Sequence, residues 1–314
     1  MPLRNTKGEM DTTKHMVQVA LFNGKKLKQL HTSFGAEILA SALPMLWLLF
    51  VEKLVTILTF PFIRSTSLTD ENHVELSHMF GELDDVTPYI KLGRPNRLKY
   101  DELFDSPHGA ANKGNCLFHV DSSFNPRRAG YSLLLAHELP PPGNGGGIEY
   151  CDTRQAYAEL DQETKDELAT NDYVAAHSIH HSKKVAAPDW YANINPEDYP
   201  MGRHKLVQLH ETSNRMNLYI ATHIHHIEGL TSEKSQQVFD KLFMHCTQNK
   251  YRLSIDWQCV GDLVVWDNTS TMHRAVNGPF LYKYRRDMRR TTVHDSSSQA
   301  WGLNEHTNRR QGLP

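Results

Sequence analysis

The chain has 314 residues, with 34 Lys plus Arg against 36 Asp plus Glu, so it lacks the long-range positive field that a non-specific nucleic-acid binder requires. A chain of that length buries a substantial core as one large domain or two ordinary ones, without disulfides or a structural metal. Cys116, Cys151, Cys246 and Cys259 lie far apart and form no CxxC pair, which argues against a zinc knuckle or a secreted disulfide framework and for a reducing cytoplasm.

The N-terminal stretch MPLRNTKGEMDTTKH is polar and mixed in charge, with no signal-peptide pattern, so export is not expected. Residues 1–20 are expected to be a flexible tail, 21–295 a single domain, and 296–314, also polar, a second tail. Ser41 to Phe62 is the most apolar segment, but Glu52 and Lys53 sit at its middle and Pro44 near its start. A charge at a bilayer centre costs about 2.5–3.5 kcal/mol, so a buried helix followed by a buried strand is expected rather than a membrane span. A helix is predicted from the capping Thr69 to Phe80, with Leu76, Met79 and Phe80 on one face and Gly81 as the stop. PPPGNGGGIEYCD, from Pro140 to Asp152, has neither GxGxxG nor GxxxxGK spacing and reads as a turn into a strand. Val238, Phe239, Leu242, Phe243 and Cys246 recur at helical spacing between Ser232 and Cys246, which predicts a second helix lying on a sheet. GDLVVWDN and MRRTTVHD read as strands on either side of a turn through Asn277, Gly278 and Pro279. The pattern is mainly β, with helices outside the β core.

His119 and Asp121 lie in NCLFHVDSSF; at the end of a strand, a spacing of two points both side chains to one face. An imidazole and a carboxylate suit Fe(II), and one more histidine completes a facial triad with open positions. His273 is the candidate, because it follows the strand GDLVVWDN and a short loop and so is delivered from a rigid element. HxD alone is a weak signal in a chain with 19 histidines. It gains weight from YRRDMRR, where Arg286, Met288 and Arg290 alternate on one face and Arg285 and Arg289 on the other. Inward arginines imply bound anions, since guanidinium forks match carboxylates; the bland alternative is a basic edge strand. His180 with His181, and His223, His225 and His226, are competing clusters that a zinc ion could use.

Taken together, GNCLFHVDSSF, GGGIEYCDTRQAYAEL, THIHHIEGL, GDLVVWDNTSTMHRA and YRRDMRRTTV resemble the taurine and dichlorophenoxyacetate dioxygenases, a branch of the Fe(II)/2-oxoglutarate oxygenases. The likeness runs from about Phe34 to Asp295 and is strongest to the aryloxyacetate branch through RLKYDEL and HVDSSF. It implies a double-stranded β-helix core (jelly-roll, cupin-like) and oxidation of a C–H bond of a small carboxylate or sulfonate by dioxygen, with release of succinate and carbon dioxide. By position it implies His119, Asp121 and His273 as ligands of Fe(II), Arg286 on the distal carboxylate of 2-oxoglutarate, and Arg290 on the substrate's acid group. Asn115 and Lys91 fall at the substrate pocket, and a homo-oligomer fits the family habit. Ile148 departs from the pattern: it stands where the family usually has a threonine on the 2-oxoglutarate carboxylate, and it cannot donate that hydrogen bond. Two further readings stay open, a non-catalytic or ligand-sensing member of the same fold and a zinc hydrolase using the same three ligands.

Overall fold

Alternation of apolar and polar residues, interrupted by turns, gives a structure built mainly of antiparallel strands. The computed structural model describes residues 16–23, 26–33, 62–85 and 113–307. Strands β1 (Met16–Asn23) and β2 (Lys26–Ser33) pair antiparallel. β1 therefore begins inside the stretch expected to be a tail; MVQVALFN is largely apolar and β-prone, unlike the polar residues before it. Lys91 and residues 41–61 of the apolar segment lie outside the described residues. Its last residue, Phe62, opens the short strand β3 (Phe62–Ile63), and no described helix is long and apolar enough to cross a membrane.

Helix α1 (Asp70–His78) starts where the sequence predicts: the Thr69 side chain accepts a hydrogen bond from the Asn72 amide. Strands β4 (Ala129–Glu138), β12 (Leu263–Asp267) and β14 (Asp287–His294) join β3 in a four-stranded sheet of order β14-β4-β12-β3. One face of that sheet supplies Ile63, Leu133, Leu135, Leu263, Val265 and Val293, on which Leu76 and Phe80 of the α1 region pack. Its other face supplies Leu134, Val264 and Trp266 to a second cluster. That cluster also holds Ile148 and Tyr150 of β5 (Ile148–Asp152) and Ile255 of β11 (Arg252–Ile255). With β13 (Thr271–Ala275), these form a sheet of order β11-β5-β13. Two antiparallel sheets thus face each other across an apolar layer, as period-2 strands with two buried faces require.

Short helices α2 (Thr153–Ala158) and α3 (Gln162–Asn171) follow β5. Strands β6 (Val174–His177), β7 (Gly202–Lys205) and β10 (Ile224–Ile227) make a third sheet, and β8 (Val207–His210) pairs with β9 (Arg215–Leu218). Between β6 and β7 lies α4 (Ile179–Ala186). Helix α5 (Ser232–Cys246) has the predicted bounds and buries Val238, Leu242 and Cys246 in the largest cluster, with Phe239 and Phe243 against its edge.

The expected C-terminal tail does not begin at Ser296. Arg128 N donates to Ala300 O at 3.0 Å, Leu303 N donates to Arg203 O at 2.9 Å, and Gln299 Nε2 donates to Leu209 O at 2.7 Å. Residues 296–307 are fastened mostly by polar contacts, which a search for apolar anchors misses.

Candidate metal centre

His119 and His273 come together through the backbone. His119 N donates to His273 O at 2.9 Å, and His273 N donates to His119 O at 2.8 Å, an isolated antiparallel bridge. Residues paired this way send their side chains to the same side of the ladder, and the two imidazole centroids are 4.3 Å apart. Asp121, two residues on, points to the same side. The segment 117–121 is not a regular strand, yet the one bridge at His119 gives the alternation that the sequence reading assigned to a strand end.

The donor atoms of His119, Asp121 and His273 all lie within 4.8 Å of one another, and all three residues are buried. His119 Nδ1 lies 2.7 Å from Leu117 O, so that nitrogen carries the proton and Nε2 keeps its lone pair for a metal. Burial pushes the imidazoles of His119 and His273 below their usual value, which keeps them neutral, as metal ligation requires. Burial would raise the Asp121 carboxyl, but the Arg290 guanidinium, the neighbouring imidazoles and the Ser132 hydroxyl together hold it below the usual carboxylate range. Two neutral imidazoles and an ionised carboxylate are a donor set that fits Fe(II). Among the described residues no other group of three such donors assembles, so the competing histidine clusters do not form a site of this kind. His181 and His225 meet ring to ring at 5.2 Å, while His223 lies 5.7 Å from His119 and its Nδ1 is 2.8 Å from Ser182 Oγ.

The arginines separate as alternation predicts, with one irregularity. Arg289 pairs with Asp70 and Asp287 on the α1 side, whereas Arg290 Nη1 donates to Asp121 Oδ1 at 2.6 Å. Arg290 is thus brought onto a ligand carboxylate and is 44% exposed. A bulge between Asp287 and Met288 breaks the pairing register, so Arg286 is placed by its own contacts instead. Its Nη2 donates to Gly146 O at 2.8 Å, and its Nε is buried without a hydrogen-bond partner. The residue as a whole is only partly buried, but the desolvated guanidinium is pushed down to about 10, and no carboxylate pairs with it among the described residues. Gly146 permits this approach: its φ is +84°, and a Cβ there would stand 3.0 Å from Arg286 Nε.

Ile148 is 5% exposed and lies in the cluster with Trp266 and Val264, and its aliphatic side chain offers no hydrogen-bond donor. Asn115 is exposed on the 3-10 turn Gly114–Cys116 that leads into the ligand segment. Sequence reasoning missed Tyr150, whose ring stacks 6.1 Å from His273, and Trp266, 4.8 Å from it. The signal for Tyr150 was its spacing of two from Ile148 on one strand. It also missed Lys183, buried on α4 and acting electrostatically on His119, and the pair Ser132 and Asn268.

Residues 26–292 match the family model described as taurine catabolism dioxygenase TauD, TfdA family. The chain is 33% identical over 245 residues to an alpha-ketoglutarate-dependent 2,4-dichlorophenoxyacetate dioxygenase of Burkholderia sp. (strain RASC), covering 73% of this chain and 80% of that protein. It is 30% identical over 214 residues to an (S)-phenoxypropionate/alpha-ketoglutarate-dioxygenase of Sphingobium herbicidovorans, covering 66% of this chain and 73% of that protein. A crystal structure of AAD-2 in complex with Mn(II) and N-oxalylglycine superposes with a TM-score of 0.68 at 29% identity, covering 82% of this chain and 91% of that one. A taurine dioxygenase from Burkholderia xenovorans, 20% identical with a TM-score of 0.64 over 90% of each chain, shares the fold. With a match that takes in all three clustered donors as well as Arg286 and Arg290, the chain belongs to the TauD/TfdA family of dioxygenases.

Proposed function

We propose that this protein is an Fe(II)- and 2-oxoglutarate-dependent dioxygenase that oxidises a C–H bond of a small singly charged acid, an aryloxyalkanoate in preference to a sulfonate. The observation that carries the reading is the buried cluster of His119, Asp121 and His273, on a chain one third identical to a 2,4-dichlorophenoxyacetate dioxygenase. His119, Asp121 and His273 would hold the iron. When bound, iron with 2-oxoglutarate supplies the dioxygen-activating oxidative decarboxylation that side chains alone cannot perform.

Arg286 binds the distal carboxylate of the keto acid: a desolvated guanidinium with no carboxylate partner among the described residues is a site for an incoming anion. Ile148 adds no hydrogen bond there and confines the keto acid by shape. Arg290 orients the substrate's acid group once a cation has taken over Asp121. Asn115 and Lys91 are assigned by resemblance to the outer wall of that pocket. Trp266 and Tyr150 exclude water from the His273 side. The facing sheets fit the two walls of a double-stranded β-helix, and the four unpaired cysteines fit a cytoplasmic location.

The test is anaerobic loading with Fe(II) and 2-oxoglutarate, followed by oxygen and a panel of aryloxyalkanoates and sulfonates. Succinate formed in step with substrate oxidation is expected. Activity retained with Zn(II) and lost with Fe(II), or acid binding without oxygen consumption across the panel, would overturn the proposal.

A further inference from the structure

Asp121 carries two oxygens that can reach a shared ion. His119 Nε2 lies 4.0 Å from Oδ1, and His273 Nε2 lies 3.8 Å from Oδ2. Ligand positions alone would therefore allow either oxygen, or both, to bind. That choice matters, because a carboxylate binding through both oxygens occupies a coordination position that a chelating keto acid and dioxygen need.

We propose that Asn268, acting through Ser132, is a positioning device that occupies Asp121 Oδ2 and presents Oδ1 alone to the metal. The inference rests on the metal-centre reading above and goes beyond it, to how the ligand carboxylate is set. Asn268 is fully buried, and its side chain makes four hydrogen bonds. Its Oδ1 accepts from Asp121 N at 3.0 Å and from Trp266 Nε1 at 3.1 Å. Its Nδ2 donates to Gly130 O at 3.0 Å and to Ser132 Oγ at 2.9 Å. Two N–H donors on one side and two oxygens on the other fix the amide orientation, since the flipped amide would set donor against donor.

That orientation decides where the Ser132 proton goes. Because Ser132 Oγ accepts from Asn268, its hydroxyl hydrogen is committed to Asp121 Oδ2, 2.8 Å away. The other neighbour, Thr292 Oγ1, is 3.4 Å away, too long to compete. One amide therefore grips the ligand twice, at its main-chain nitrogen directly and at its carboxylate through the serine. The oxygen left over is the one that faces cations: Arg290 Nη1 lies 2.6 Å from Oδ1. β4 carries Ser132 opposite Trp266 of β12, so the device is built on paired strands rather than on a loop.

The test uses full-length protein loaded anaerobically with Co(II), whose visible absorption weakens as coordination number rises. N-oxalylglycine serves as a keto-acid analogue that cannot turn over. For Ser132→Ala, we expect Co(II) affinity within about threefold of wild type, a weaker Co(II) band and an N-oxalylglycine Kd raised about 10-fold, the scale of lost outer hydrogen bonds at metal sites. Ser132→Thr, which keeps the hydroxyl, restores band and Kd. Ser132→Cys, nearly isosteric but a weak donor, follows Ala and guards against a folding defect, which the unfolding midpoint reports separately. Unchanged band and Kd in Ser132→Ala and Ser132→Cys would overturn the inference, as would metal and analogue affinities that fall together with the unfolding midpoint. If wild type shows no Co(II) band that His119→Ala abolishes, the metal-centre reading itself fails, a result distinct from either.

Discussion

Replacing Arg286 with Met should make the protein more stable and less able to bind 2-oxoglutarate, two effects of opposite sign from one side chain. Desolvation pushes the guanidinium down to about 10 from its ordinary 12.5, and each unit is worth about 1.4 kcal/mol, so keeping the charge costs roughly 3 kcal/mol at most. Because the side chain is only partly buried, solvent screening discounts that to about 1–2 kcal/mol. Met fills the same stem volume and loses one bond, to Gly146 O, worth about 1 kcal/mol. The net is a gain of up to about 1 kcal/mol, or about 1–2 °C in Tm for a chain of this size. Against it stands loss of a charge-assisted fork, at about 1.5–3 kcal/mol per hydrogen bond, which raises the Kd for 2-oxoglutarate by at least about 10-fold. Differential scanning fluorimetry without ligand and anaerobic titration of the Fe(II)-loaded protein measure the two sides. A variant that is destabilised by several degrees and binds 2-oxoglutarate as wild type does would show that Arg286 is a structural cation and refute the assignment.

Ile148→Thr should restore the donor that the family uses and lower the KM for 2-oxoglutarate about 10-fold with kcat little changed; a higher KM would mean that the apolar contact with Trp266 and Val264 is what positions the keto acid. Arg290→Gln should raise the KM for acid substrates by about 10-fold or more while tightening metal binding slightly, since it removes a cation that competes for Asp121 Oδ1; equal KM values for an acid and its amide in wild type would contradict the assignment. Burial depresses His73 to about 4 and, with Arg128 adding to it, His204 to about 3. Both folded values lie below the unfolded one near 6.5, so their contribution is complete above that pH and is lost as pH falls and the unfolded chain binds protons that the native one refuses. Two such histidines imply about 3 kcal/mol lost between pH 6.5 and pH 5, read from urea midpoints; a flat midpoint over that range would contradict the assignment of neutral buried imidazoles.

What could be read from the sequence depended on the range of the interaction that places each residue. Asp121 was legible because it stands two residues from His119, and His273 because it follows a strand and a tight turn. The direction of Arg289 and Arg290 was legible for the same reason, through simple alternation. Alternation also predicts the direction of Arg286, but the bulge at Asp287 and Met288 breaks the register there, so alternation is not what places it. The bridge joining His119 to His273 spans 154 positions of chain and leaves no local trace. Asn268 was read only as the end of a strand, because its partners Asp121 and Ser132 are 147 and 136 positions away. Polar composition alone predicts tails that run too far at both ends, because it does not register short strands or hydrogen-bonded segments. β1 is a short, largely apolar run, and Ser296–Thr307 is held by hydrogen bonds to backbone and to carboxylates such as Asp295 and Glu211.

The contacts of Asp121 also constrain what the site can accept, and in what order. One carboxylate faces two cationic claimants on the same oxygen, the Arg290 guanidinium at 2.6 Å and a metal held with His119 and His273. Any cation that binds Asp121 Oδ1 displaces the guanidinium, and the guanidinium, half exposed, then needs another anion. On the proposed function, a substrate acid supplies it. The two events therefore favour each other, and the coupling is reciprocal: whatever factor the metal adds to acid binding, the acid adds to metal retention. Arg286 takes no part in this exchange, because it donates to the Gly146 carbonyl and lies over the Phe280 ring, and no carboxylate pairs with it among the described residues. A neutral substrate would leave the displaced guanidinium uncompensated beside a divalent ion. This is the physical reason to expect an acid at the reacting position and not its ester or amide.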